Sequence, residues 1–171
     1  MTKGFTLPEL LIAASVLALL AGACFGSASE TLARQRVEAA SRRLEQGIEE
    51  ARANAEQRRS ACSLALAEAE EAWSAAADAA LPPCLADDTP LSEGLAGNDR
   101  LQLQHTLPAQ LRFTANGLLI DGGTVVIGAA GTALKRCLVV ALPLGVVRIG
   151  RYGGRDGDAV SSAACLADAG P

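Results

Sequence analysis

The sequence predicts an α+β fold: a long N-terminal helix, half membrane span and half spine, packed on a C-terminal antiparallel β-sheet head. Three observations predict it. Residues 10–29 carry no charge. The stretch from there to about residue 59 repeats small and apolar residues at steps of three and four, with charges between them. From residue 101 onward, short apolar runs alternate with glycine and asparagine turns. The chain has 171 residues. About 140 remain beyond the apolar run, enough for one domain with its own core, and a second domain is not expected.

The first element is the apolar run. A basic leader, Met1-Thr2-Lys3-Gly4, precedes Phe5, and one acid, Glu9, sits near the start of the run. About 20 apolar residues suffice to cross roughly 30 Å of hydrocarbon as a helix, so residues 5–29 are expected to span a membrane. Lys3 orients the span with the leader on the cytoplasmic side. A secretory signal is cleaved after its apolar core. Here the candidate junction, Gly4-Phe5, comes before it, so cleavage would leave the apolar helix on the mature chain. Pro8 falls in the first turn, where its missing N–H costs little. Gly22 and Gly26, with Ala18, make a small-residue face.

The helix is expected to continue as a spine over residues 30–59. Ala33, Val37, Ala40, Leu44, Ile48, Ala51 and Ala55 define one face. Glu30 with Arg34, Glu38 with Arg42, and Arg52 with Glu56 are spaced as i,i+4 pairs on a solvated face. Gly47 interrupts this face at a cost of about 1 kcal/mol relative to alanine. One helix from Phe5 to Arg59 would be roughly 80 Å long at 1.5 Å per residue.

Residues 60–171 are expected to form the head. A short strand is expected near 61–67. The Ala-Glu repetition that follows favours helix by propensity, so the segment around Trp73 reads as helical or irregular. Pro82-Pro83 ends it, and residues 84–99 read as loop. Leu101 to His105 alternates strictly. Leu111-Arg112-Phe113, a turn at Asn116-Gly117 and Leu118-Leu119-Ile120 read as a hairpin. Residues 124–127, 135–142 and 146–151 complete an antiparallel meander, and the tail from Gly153 reads as a loop held by Cys165.

Composition narrows the chemistry. Net charge is −4 and aromatics are 3% of the chain, which gives no global case for nucleic-acid binding and no stacking platform for bases. Cys24 lies in the apolar run and reads as a small membrane-helix residue. The remaining cysteines, Cys62, Cys84, Cys137 and Cys165, lie in the exported part, where disulfides are favoured and four thiols allow three pairings. Cys62 with Cys84 and Cys137 with Cys165 is preferred, because each closes a local loop. A four-thiolate zinc site competes, without any C-x-x-C spacing to support it. No metal, cofactor or catalytic residue is expected. His105, the single histidine, alternates within a strand and reads as structural. Asp87-Asp88 lacks calcium-loop spacing, and the glycine-rich 128–132 segment before Lys135 lacks phosphate-loop spacing.

The residues Gly4-Phe5-Thr6-Leu7-Pro8-Glu9-Leu10-Leu11 resemble the leader of type IV pilins and type II secretion pseudopilins. The resemblance implies removal of residues 1–4 by a prepilin peptidase after Gly4, and N-methylation of the new terminus at Phe5. It also implies a role for Glu9 in packing one subunit's helix against another. An acid in a membrane helix is expensive and calls for a partner, which the Phe5 amine of a neighbour would supply. Leu111-Arg112-Phe113, Asn116-Gly117, Thr124-Val125-Val126-Ile127, Arg136-Cys137-Leu138-Val139-Val140 and Gly145-Val146-Val147-Arg148 further resemble the GspH/FimT-type minor pseudopilins. The implied protein is not an enzyme. It is a structural subunit, single-pass in the bacterial inner membrane with its head outside the cytoplasm, whose partners are other pilins or pseudopilins and the inner-membrane assembly machinery. Some FimT-type pilins bind DNA through a C-terminal Gly-Arg-x-Arg. Here Val146 stands at the first arginine, and Arg148, Arg151 and Arg155 are the candidate phosphate contacts, with Asp156 and Asp158 opposing them. A solvated strand end is the favoured reading of these arginines.

Overall fold

A computed structural model of the chain describes residues 7–75, 80–92, 101–142, 145–155 and 157–168, without the side chains of 20–27. Gly4, Phe5 and Asp156, the Cys24 side chain, and the surroundings of Gly22 and Gly26 therefore lie outside what is described. A single helix, α1 (Leu7–Arg58), carries the chain for 52 residues. Its C-terminus is closed by Ser60 N donating to Ala55 O at 3.2 Å and Arg59 N donating to Glu56 O at 3.2 Å, with Arg59 at φ 49°. That is the left-handed cap that satisfies the last helical carbonyls, built here on an arginine where glycine is usual. All seven residues of the expected apolar face, Ala33 through Ala55, are buried. Among the described residues no helix is long and apolar enough to cross a membrane.

Among the described residues the head has nine strands in two sheets. The first sheet contains β1 (Cys62–Ala67), β2 (Ala72–Ser74), β3 (Thr89–Pro90) and β5 (Leu111–Phe113), in the order β3-β2-β1-β5. The second contains β4 (Leu101–His105), β6 (Gly123–Ala129), β7 (Arg136–Ala141), β8 (Val146–Tyr152) and β9 (Cys165–Ala167), in the order β4-β6-β7-β8-β9. The named strands pair antiparallel throughout. Val125 and Ile127 of β6, Leu138 and Val140 of β7, and Val147 and Ile149 of β8 pack with α1 in the main core. Val126, Cys137, Val139, Tyr152 and Cys165 form a smaller core on the other face.

The head departs from expectation at five points. Trp73 lies in a strand, because β2 pairs Trp73 with Leu66 and buries the indole under α1, a tertiary gain that outweighs the helical propensity of the Ala-Glu run. The 84–99 loop contains the short strand β3. The meander is split: β4 pairs with β6, while β5 joins the other sheet, where Leu111 and Phe113 sit opposite Leu64 and Cys62. The second arm of the 111–120 hairpin makes only an isolated bridge, Phe113 to Leu119, beyond a turn in which Gly117 takes φ +71°.

The tail is the fifth point. It is not simply a loop: a 3-10 turn at Ser162–Ala164 leads into β9, which pairs with β8. Gly153 N donates to Ala164 O at 2.9 Å, and Ser161 N donates to the Tyr152 hydroxyl at 3.3 Å. The tail thus covers a face of the second sheet that a meander alone would leave wet, which explains why β6 is buried on both sides.

Candidate functional site

Two features carry the functional geometry: a helical arm that no other described residue covers, and the joint that fixes its continuation to the head. In the arm, Leu7, Leu10, Leu11, Ile12, Val16, Leu17 and Leu19 are 49–77% exposed. They point in all directions around the helix, so no polar face exists to meet water. The one hydroxyl described there is satisfied internally, Ser15 Oγ donating to Ile12 O at 2.8 Å. Glu9 lies in the first turn of α1, where a carboxylate complements the helix dipole. It shares a shallow apolar depression with Leu10, Ile12 and Ala13. The Phe5 terminus expected to partner the Glu9 of a neighbour lies outside the described residues.

The joint is built where the helix lacks a side chain. A Cβ on Gly47 would fall 2.1 Å from Trp73 Cδ1, so the indole occupies the notch that the glycine leaves. Trp73 Nε1 donates to Leu44 O at 3.2 Å from a fully buried position. Polar side chains of α1 clasp the head around this notch. Asn54 Nδ2 donates to Cys84 O at 3.1 Å, and Arg52 Nη2 donates to Gly145 O at 2.7 Å. Glu38 meets the buried Arg136 at 3.4 Å, and Arg136 in turn holds Asp168 at 2.8 Å. The charged face of the spine is therefore partly a docking face and not wholly solvated. Of the expected i,i+4 pairs, Glu30 and Arg34 meet at 3.9 Å. Arg52 pairs instead with Glu49, one turn back, at 3.1 Å.

Two disulfides tie the head. Cys62 is bonded to Cys84 (Cα–Cα 5.0 Å) and Cys137 to Cys165 (Cα–Cα 5.8 Å). Both close the local loops preferred from the sequence, and they occupy all four thiols of the competing zinc reading. Among the described residues no cluster of three or more metal-ligating side chains occurs. His105 Nε2 lies 3.0 Å from Glu68 Oε1, linking β4 to the turn after β1.

Arg112 and Asp121 form a two-toothed pair, Nε to Oδ2 at 2.8 Å and Nη2 to Oδ1 at 2.7 Å, and Asp121 Oδ2 also accepts from Arg112 N at 3.0 Å. The guanidinium hydrogen bonds hold the Asp121 carboxyl below its ordinary 3.8, against the opposing push of partial burial. Asp168 is lowered in the same sense, chiefly by its hydrogen bond to Arg136. A carboxyl depressed on folding adds stability that is complete above its unfolded pKa and lost as pH falls through the folded one. Asp121→Asn is expected to lower the urea midpoint at neutral pH. It should also flatten the loss of stability as pH falls below the ordinary carboxylate value of 3.8. An unchanged acid slope in the variant would contradict this assignment.

The three candidate DNA-contact arginines are not brought together. Arg148 and Arg151 are three apart on β8 and so project from opposite faces. Arg148 turns to the tail, donating to Cys165 O at 3.3 Å and Ser162 O at 3.5 Å. Arg151 faces the helix side, beside Arg34 and Arg42. Arg155 lines a separate cleft. Two residues named from the sequence, Gly47 and Arg136, have a role in the joint that the sequence reading did not give them. A lone glycine in an otherwise alanine-rich face and a chain with a single tryptophan were the available signals for the first. For Arg136, an arginine opening an apolar strand was the signal.

Comparison with known families agrees with this architecture. The model of the type II transport protein GspH matches residues 40–143, from the buried face of the spine to the β7–β8 turn. The prokaryotic N-terminal methylation motif matches residues 1–25, which include Gly4, Phe5 and Glu9. No curated protein and no solved structure matches the chain. The GspH model covers more than half of the sequence, the methylation motif covers the bare arm, and the chain belongs to the GspH family of type II transport proteins, the pseudopilins.

Proposed function

We propose that the chain is a minor pseudopilin that is held in the bacterial inner membrane by residues 5–29 and assembled through that same helix into a short secretion filament. The observation that carries this reading is the continuity of one helix. Its N-terminal part is apolar on all sides and bare, and its C-terminal part is locked into the head. An apolar helix of this kind has two environments that suit it, lipid and a bundle of like helices, and transfer between them buries apolar surface in both. Cleavage after Gly4 frees the Phe5 amine, and Glu9 of one subunit pairs with that amine of the next. The pair supplies register, since either group alone in an apolar bundle is costly. The head, with its two disulfides, stays on the oxidising side.

Glu9→Ala tests this reading. Membrane insertion should be unchanged, because removing a charge from a membrane helix favours insertion. Recovery of the variant with its partner pseudopilins should fall by about tenfold or more, as a charged hydrogen bond is worth about 1.5–3 kcal/mol. Recovery equal to that of the native chain would remove Glu9 from the mechanism.

A further inference from the structure

We propose that the base of the head is a binding surface for the phosphate-bearing headgroups of anionic phospholipids. The inference rests on the membrane anchoring described above. The base is placed by the β6–β7 loop, where a Cβ on Gly131 would lie 3.8 Å from Ala33 Cβ. Ala33 comes four residues after Ser29, the last residue of the uncharged run, or about 6 Å along the helix at 1.5 Å per residue. The headgroup layer is about 5–7 Å deep on each side of the hydrocarbon, so this loop lies where the head first meets it.

Two clefts flank the loop. One, of about 620 Å³, is lined by Gln102, the 128–133 backbone, Lys135, Tyr152 and Arg155. The other, of about 430 Å³, runs between α1 and Leu134 and carries Arg34, Arg42 and Arg151. Five cations thus line two adjoining clefts in a chain of net charge −4. Among the described residues, three acids near the clefts meet arginines, and Asp158 lies three residues beyond Arg155. Glu38, the one acid among the described residues that line the clefts, meets Arg136, and Asp168 also holds Arg136. Glu30 meets Arg34 at 3.9 Å with both side chains about 60% exposed, a pairing that water and salt weaken. The first cleft offers a lysine, an arginine, an amide, a phenol and glycine backbone, which suits a phosphodiester with a hydroxylated headgroup. Two arginines on α1 and one on β8 give the second cleft a purely electrostatic attraction.

The test uses the full chain reconstituted in bilayers of zwitterionic lipid alone and in bilayers with added anionic phospholipid. Hydrogen exchange at residues 130–135 and 151–155 is the readout. The expected result is slower exchange there, by roughly tenfold, in the anionic bilayers only, fading as salt shortens the Debye length. Lys135→Glu with Arg155→Glu should abolish the slowing while exchange in β6 and β7 stays unchanged. Equal exchange in both bilayers, with the chain retained in the membrane, overturns the inference and leaves the anchoring reading standing. Loss of the chain from both bilayers overturns both. Equal slowing by inorganic phosphate in zwitterionic bilayers would reassign the clefts to a free anion, and slowing by duplex DNA but not by lipid would reassign them to nucleic acid. Either overturns the lipid assignment.

Discussion

Gly47→Val is expected to undock the first sheet from the spine. A Cβ at residue 47 would stand 2.1 Å from Trp73 Cδ1 and 2.4 Å from Nε1, and the indole is fully buried with nowhere to retreat. Even Gly47→Ala carries a sign opposite to the usual one. In an exposed helix, alanine for glycine gains about 1 kcal/mol. Here that gain is set against overpacking of about 1–3 kcal/mol and, once the ring is expelled, against loss of tryptophan burial at about 3–5 kcal/mol. Valine adds further bulk in the same notch, so the net loss should reach several kcal/mol, a large share of a total stability of about 5–15 kcal/mol. Urea unfolding followed by far-UV circular dichroism measures it. A Trp73→Leu background should absorb most of the alanine effect, since the clash and the partner vanish together. A Gly47→Ala variant more stable than the native chain would show that the indole does not sit against the helix as described.

The second large effect is expected from Cys62→Ser with Cys84→Ser. The bond closes a loop of 22 residues in sequence separation, and loop-closure entropy at that length corresponds to about 3 kcal/mol. The segment it holds is otherwise tied to α1 by single bonds, Asn54 to Cys84 O at 3.1 Å and Arg58 to Pro83 O at 3.4 Å. Thermal unfolding of the double variant should shift downward, and limited proteolysis should cut first within residues 80–92. An unchanged midpoint, with cleavage elsewhere, would mean that the loop is held by its packing alone.

How much of this was legible in the sequence follows from where the signals are local. The spine face was readable residue by residue, because a 3.6-residue repeat needs no knowledge of what it packs against. Strands β6, β7 and β8 were readable for a related reason: Val, Ile and Leu runs between glycine turns leave few alternatives. Strand β2 was not. Ala72-Trp73-Ser74 sits in an Ala-Glu run whose local preference is helical, and only the notch at Gly47 gives the strand a place. The tail strand β9 was hidden as well, since Ser-Ser-Ala-Ala-Cys-Leu-Ala shows no alternation and its reason lies across the sheet in Cys137 and Tyr152. The candidate site divides the same way. Glu9 stands out in sequence because charge is absent around it. Arg136 does not, because its meaning depends on Glu38 and Asp168, which lie far from it in the chain and meet it only after folding.

Intact mass and N-terminal sequencing of the protein from native membranes, with and without reduction, test whether this chain is processed as a pseudopilin. The expected chain begins at methylated Phe5, lacks residues 1–4, and gains four hydrogens on reduction of the two disulfides. A chain still beginning at Met1 in a host with an active prepilin peptidase would contradict it.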